Sequence, residues 1–228
     1  YYVTDTDTIN ANTHQTYFAI RGSDGFGFNL SQIKKGNFKE FNYQDWINND
    51  AAFALTDAIV PQAQYATKGM KEKITELEEK AAPDAKIDVT AHSLGTMVSV
   101  QGLAGLSESE LNHVGKAVLF DGPDTTLSLI KAGYSPEKLK LLDEKIVYYV
   151  NPFDPVSMLN RDRPWDQQLG KVNVVVPIKY TSMMNKYSSH DFGAYQIDSY
   201  GNILTASESY HPELLVAGQR LAKLNRRT

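Results

Sequence analysis

The 228-residue chain contains no cysteine. That absence excludes disulfides, thiolate zinc sites and a thiol nucleophile together, and it suits either a reducing compartment or secretion from a cell that makes little use of disulfides. No apolar run is long enough to span a bilayer. Basic charge is also scarce: Lys and Arg number 23 against 27 Asp and Glu, a net charge of −4. Nucleic acid is therefore not expected as a partner, and attraction to anionic lipid should be weak. No dense grouping of His, Asp and Glu has metal-ligand spacing, and Gly25-Phe26-Gly27 leads into aromatics and not into a helix start, so no metal or cofactor is expected. The chain starts at Tyr1-Tyr2-Val3 with neither methionine nor a signal peptide, which reads as a processed protein or an excised domain. Its length fits one domain over residues 1–228.

What is present alternates between two periodicities. Residues 1–13 read as an edge strand or tail, and Gln15–Ile20 as an apolar strand that stops at Arg21-Gly22-Ser23. A helix opens at Asp45, and Pro61 separates it from an amphipathic helix over residues 63–82. That second helix should turn Tyr65, Gly69, Ile74 and Leu77 toward the protein and Lys71, Glu72, Glu76, Glu78 and Glu79 toward water. Strands follow at 86–91, 116–120, 145–150 and 172–178, separated by helices to Leu106, over 124–132 and over 136–143. A polar loop over 180–193 precedes a final helix over 212–225, whose basic end complements its dipole. The alternation predicts an α/β class with a largely parallel sheet flanked by helices. Between them, residues 25–44 mix Phe26, Phe28, Phe38 and Phe41 with Gly25, Gly27 and Gly36, which fits either a mobile lid over an apolar cleft or a packed hairpin.

The chemically pointed stretch is Val89-Thr90-Ala91-His92-Ser93-Leu94-Gly95. It places Ser93 on the turn from a strand into a helix, the nucleophile elbow usually written Gly-x-Ser-x-Gly. The glycines are there because strand and helix pass too close for side chains. Here the first is Ala91, one methyl larger, and the second is kept as Gly95. The same turn points the Leu94 N–H toward a developing oxyanion, and the loop after the early strand offers Ser23 as a second donor.

A serine hydroxyl is inert at neutral pH without a base, and the base needs an acid to orient it. In α/β-hydrolases the order along the chain is Ser, acid, His. His190, in the loop after the last strand, is the first candidate for the base and His211, before the final helix, the second. Asp154, pinned between Pro152 and Pro155 at a strand end, is the first candidate for the acid. Asp121, at the preceding strand end, is the alternative. Asp162 and Asp166 have no strand end to position them. His14, His92 and His113 read as structural.

These stretches resemble the class 3, fungal-type lipases. Ala19-Ile20-Arg21-Gly22-Ser23 is similar to their F-R-G-S/T strand end, Asp45-Trp46 to the pair that follows it, and Thr67-Lys68-Gly69-Met70 to their His-x-Gly-Phe helix. Val89 to Gly95 resembles their V-T-G-H-S-L-G elbow, Asn151 to Val156 their N-x-x-D-x-V acid loop, and His190 with Tyr195 their terminal histidine region. The resemblance spans roughly residues 15–195 and implies an α/β-hydrolase fold, hydrolysis of acylglycerols or phospholipids, a Ser93-Asp154-His190 triad and an oxyanion hole at Ser23 and Leu94. It departs from the family at Ala91, in the longer segment between Ser23 and Asp45, and in the absence of disulfides. The cysteine-free composition is similar to that of lipase-like domains of secreted bacterial proteins, some held in check by an immunity partner. A secreted setting and an inhibitory partner are thus part of the expectation. The same triad also serves small-ester or thioester hydrolysis and acyl transfer, and a catalytically inactive hydrolase fold used for binding is the alternative outside enzymes.

Overall fold

The computed structural model describes residues 1–22, 57–178, 189–190 and 192–226. The lid segment at 25–44, the helix expected at Asp45 and the oxyanion candidate Ser23 lie outside the described residues.

Among the described residues six strands form one sheet in the order of the chain: β1 Tyr2–Thr4, β2 Gln15–Ile20, β3 Lys86–His92, β4 Val114–Phe120, β5 Ile146–Val150 and β6 Lys171–Val174. β1 pairs antiparallel with β2, and every later neighbour is parallel. The chain is thus an α/β protein. The connections carry α1 Gln62–Lys80, α2 Gly95–Ala104, the short α3 Glu108–Leu111, α4 Thr126–Lys131 and α5 Pro136–Asp143, and α6 Pro212–Leu224 closes the chain. Strands laid down in one direction by right-handed crossovers bring their helices to the same face. The burial pattern agrees: Ile87, Val89, Ala117, Leu119, Ile146 and Tyr148 alternate with half-buried neighbours and share one core with Met70, Leu103, Leu142 and Leu221 of the helices.

The central helix is α2, buried on nearly every side. Its small residues allow this, since a Cβ on Gly102 would lie 2.9 Å from the Ala66 Cβ of α1. Its polar side chains are satisfied internally. Ser99 Oγ donates to the Gly95 carbonyl at 2.8 Å, and the Gln101 amide joins Val60 N–H, the Ala58 carbonyl and Ser128 Oγ.

Three expectations change. On α1 the buried stripe is Ala63, Ala66, Met70, Ile74 and Leu77, while Tyr65 is 70% exposed, because it falls beside this three-four spacing and not on it. The last strand ends at Val174, not Ile178. Beyond it Val175 and Pro177 bridge antiparallel to Thr205 and Tyr195, which turns the chain out of the parallel sheet. α3 was not expected, although Ser107-Glu108-Ser109-Glu110 spells a capping box and forms one. No helix among the described residues is long and apolar enough to cross a membrane.

The phase of α1 is testable by urea denaturation. Met70→Ala, at a fully buried position, should cost about 2–5 kcal/mol, whereas Tyr65→Ala should change stability by less than about 0.5 kcal/mol.

Candidate functional site

β3 ends at His92, and Ser93 then adopts a left-handed backbone with φ 57°. The turn is held from both sides. Ser93 N–H donates to the Phe120 carbonyl at 2.9 Å, and the Ser93 carbonyl accepts from Thr96 N–H at 3.1 Å and from the Thr96 hydroxyl at 2.6 Å. Leu94 returns to right-handed geometry and α2 begins at Gly95. The expected need for glycine at 95 is met by a close approach: a Cβ there would lie 2.8 Å from the Ile20 carbonyl oxygen at the end of β2. Gly22 is equally constrained, with its hypothetical Cβ 2.7 Å from the His92 carbonyl oxygen. Ala91, at the other expected glycine position, lies inside β3 between Ile20 and Leu119, its methyl buried in the core.

The structure brings Ser93, His190 and Asp154 together. Ser93 Oγ lies 2.8 Å from His190 Nε2, and His190 Nδ1 lies 2.7 Å from Asp154 Oδ2. A carboxylate against Nδ1 places the ring proton there, so Nε2 presents its lone pair and the Ser93 hydroxyl donates to it. Asp154 is fully buried just past β5 and accepts from Val156 N–H at 3.0 Å, Ser157 N–H at 3.1 Å and the Ser157 hydroxyl. These donors hold the carboxylate plane in place, as the rigid Pro-flanked loop was expected to do.

Asp121 follows β4, as the sequence indicates, and also takes a left-handed backbone with φ 51°. Its carboxyl faces His92, with Oδ2 3.7 Å from His92 Nε2, while Oδ1 accepts from Asn151 N–H at 3.1 Å and lies 3.3 Å from Ser157 Oγ, whose proton goes to Asp154. Burial pushes its pKa up to about 6, with His92 opposing the rise and the charge of Asp154 reinforcing it. His211 occupies the N-cap position of α6, and its ring Nδ1 lies 2.8 Å from the side-chain Oε1 of Glu213. His14 pairs with Asp84 and His113 with Glu78. Asp162 pairs with Arg226 at 3.0 Å.

Leu94, the expected oxyanion donor, follows Ser93 directly as the N-cap residue of α2. The described chain reaches Gly22, the residue before Ser23. Among the described residues, no group of three or more His, Asp or Glu side chains is arranged to hold a metal.

His92, read from the sequence as structural, makes a contact that the sequence reading did not foresee. Its Nε2 lies 2.8 Å from the His190 carbonyl oxygen, and its ring centroid is 5.1 Å from that of His190. The signal available was the period of β3. With Ile87, Val89 and Ala91 toward the core, His92 must face the other side, where Phe120 and Tyr149 stack at 5.6 Å and Phe192 meets Phe120 edge-on at 5.0 Å. Compared with known protein families, curated proteins and solved structures, the chain finds no match in any of the three.

The raised pKa of Asp121 has a definite sign. Its neutral form is the one the fold accommodates, so that contribution to stability is whole below about pH 4 and is lost as the pH rises through about 6. Asp121→Asn, which keeps an oxygen for Asn151 N–H, should match wild type below about pH 4 and exceed it by roughly 2–3 kcal/mol above neutrality. Urea denaturation at both ends of that range measures the difference.

Proposed function

We propose that the chain is a serine ester hydrolase of the α/β-hydrolase fold, acting on lipid acyl esters in the manner of a lipase or phospholipase A. One observation carries the reading: a hydroxyl on a left-handed turn between strand and helix, 2.8 Å from an imidazole nitrogen whose partner nitrogen lies 2.7 Å from a buried carboxylate.

In this mechanism His190 Nε2 takes the proton as Ser93 Oγ attacks the ester carbonyl. Leu94 N–H receives the developing oxyanion, and Ser23 supplies the second donor. Asp154 stabilises the imidazolium and holds its tautomer. His190 then passes the proton to the leaving alcohol, and a water deprotonated by the same nitrogen releases the fatty acid from the acyl-enzyme. The acyl class rests on the resemblance to class 3 lipases and on the aromatic surroundings of the histidine. Phe192, two residues after His190, is 63% exposed and sits in contact distance of Phe120 and Tyr195. The secreted setting and the inhibitory partner that go with the resemblance belong to the same proposal.

A fluorophosphonate probe should label Ser93 covalently, and Ser93→Ala should lose both the label and esterase activity. An unlabelled wild type, or a Ser93→Ala variant with undiminished hydrolysis, overturns the reading. Asp154→Asn should lower kcat by about 10³- to 10⁴-fold through the wrong histidine tautomer. Long-chain phospholipid vesicles set against short p-nitrophenyl esters decide the substrate class, with faster turnover expected on the vesicles.

A further inference from the structure

His92 and Asp121 form a second histidine–carboxylate pair behind the candidate triad, and the hydrolytic mechanism uses neither. Both stand at the carboxyl ends of neighbouring strands, and Asp121 is only 2% exposed. A carbonyl oxygen can only accept, so the 2.8 Å contact between His92 Nε2 and the His190 carbonyl requires the proton to sit on that nitrogen. The Asp121 carboxylate oxygen, 3.7 Å from the same nitrogen, favours a proton there electrostatically. Residue 190 is thereby gripped twice from one short stretch: its backbone by the ring of His92 and its imidazole by the hydroxyl of Ser93. The Ser157 hydroxyl closes the circuit on the far side, lying between the carboxylates of Asp154 and Asp121.

We propose that His92 is a positioning residue for His190, donating its Nε2–H to the His190 carbonyl so that the imidazole is held in line with the Ser93 hydroxyl, with Asp121 fixing the His92 tautomer. The proposal rests on the serine-hydrolase reading for its consequence in rate, and on its own geometry for the hydrogen bond. A base displaced by about 1 Å loses on the order of 100-fold in rate. His92→Phe, which fills the ring volume but cannot donate, should therefore slow fluorophosphonate labelling of Ser93 by about 10- to 100-fold. His92→Gln, whose amide nitrogen reaches a similar point, should restore labelling to within a few-fold of wild type.

Two measurements on the same samples separate the proposal from the reading beneath it. Nitrogen-15 NMR of histidine-labelled wild type, which needs no variant to fold and no activity, should show His92 protonated at Nε2 at neutral pH. Thermal melts check that both variants are folded. If His92 carries its only proton on Nδ1, or if folded His92→Phe labels as fast as wild type, the positioning role is wrong. If wild type does not label at all but His92 is protonated at Nε2, the hydrolase reading falls while the hydrogen bond to His190 stands.

Discussion

The structure around Ser93 depends on two backbones passing within side-chain distance of each other. The end of β2 runs against the turn that follows β3 so closely that Gly22 and Gly95 leave no space for a Cβ. That contact fixes where α2 starts and forces the intervening serine into a left-handed conformation. The conformation is unfavourable in isolation and persists because the surrounding bonds determine it: Phe120 takes the Ser93 N–H and Thr96 takes the carbonyl twice over. What results is a half-buried hydroxyl at the N-terminus of a helix that is itself buried.

The same step recurs one strand over. Asp121 leaves β4 with a left-handed backbone and donates its N–H to the Tyr149 carbonyl, as Ser93 does to Phe120. Both strands therefore stop at one level, and the polar groups of the region collect there. A buried cation stiffens the loops beyond. Arg161, with no exposed surface, donates to the Ser157 carbonyl at 2.8 Å, the Gly122 carbonyl at 2.9 Å and the Gln168 side chain at 2.9 Å, and its guanidinium lies 4.4 Å from the Tyr148 ring centroid. It therefore ties the loop after β4 to the loop that presents Asp154. A buried guanidinium bonded through each of its three nitrogens serves geometry more than net stability, since desolvation offsets much of what its bonds return.

Much of this was legible in the residues, and for local reasons. The alternating stretch Lys86–His92 and the strong β-formers of Ile146–Val150 became strands, and the Pro136 start and the three-four spacing from Ala63 to Leu77 became helices, because propensity, hydrophobic period and capping act over a few residues. Tyr65 shows where this fails: an aromatic one step off the stripe looks apolar enough to be buried, and only the surface of the neighbouring helix decides. The shortened β6 has the same origin, since Val175 and Pro177 take partners from residues about twenty to thirty positions downstream that no local pattern announces.

Taken alone, the sequence determined the elbow. The strand Lys86–His92, the serine after it and the helix from Gly95 to Ala104 follow one another directly in the chain, and the backbone chemistry of a tight turn is written in those identities. It also narrowed the acid and the base to two choices each. Only the tertiary structure shows which of them meet, because that depends on how loop residues 36 and 97 positions apart are brought together by the sheet. That arrangement put Asp154 against His190, turned Asp121 toward His92, and brought His92, read from the sequence as structural, to the His190 backbone.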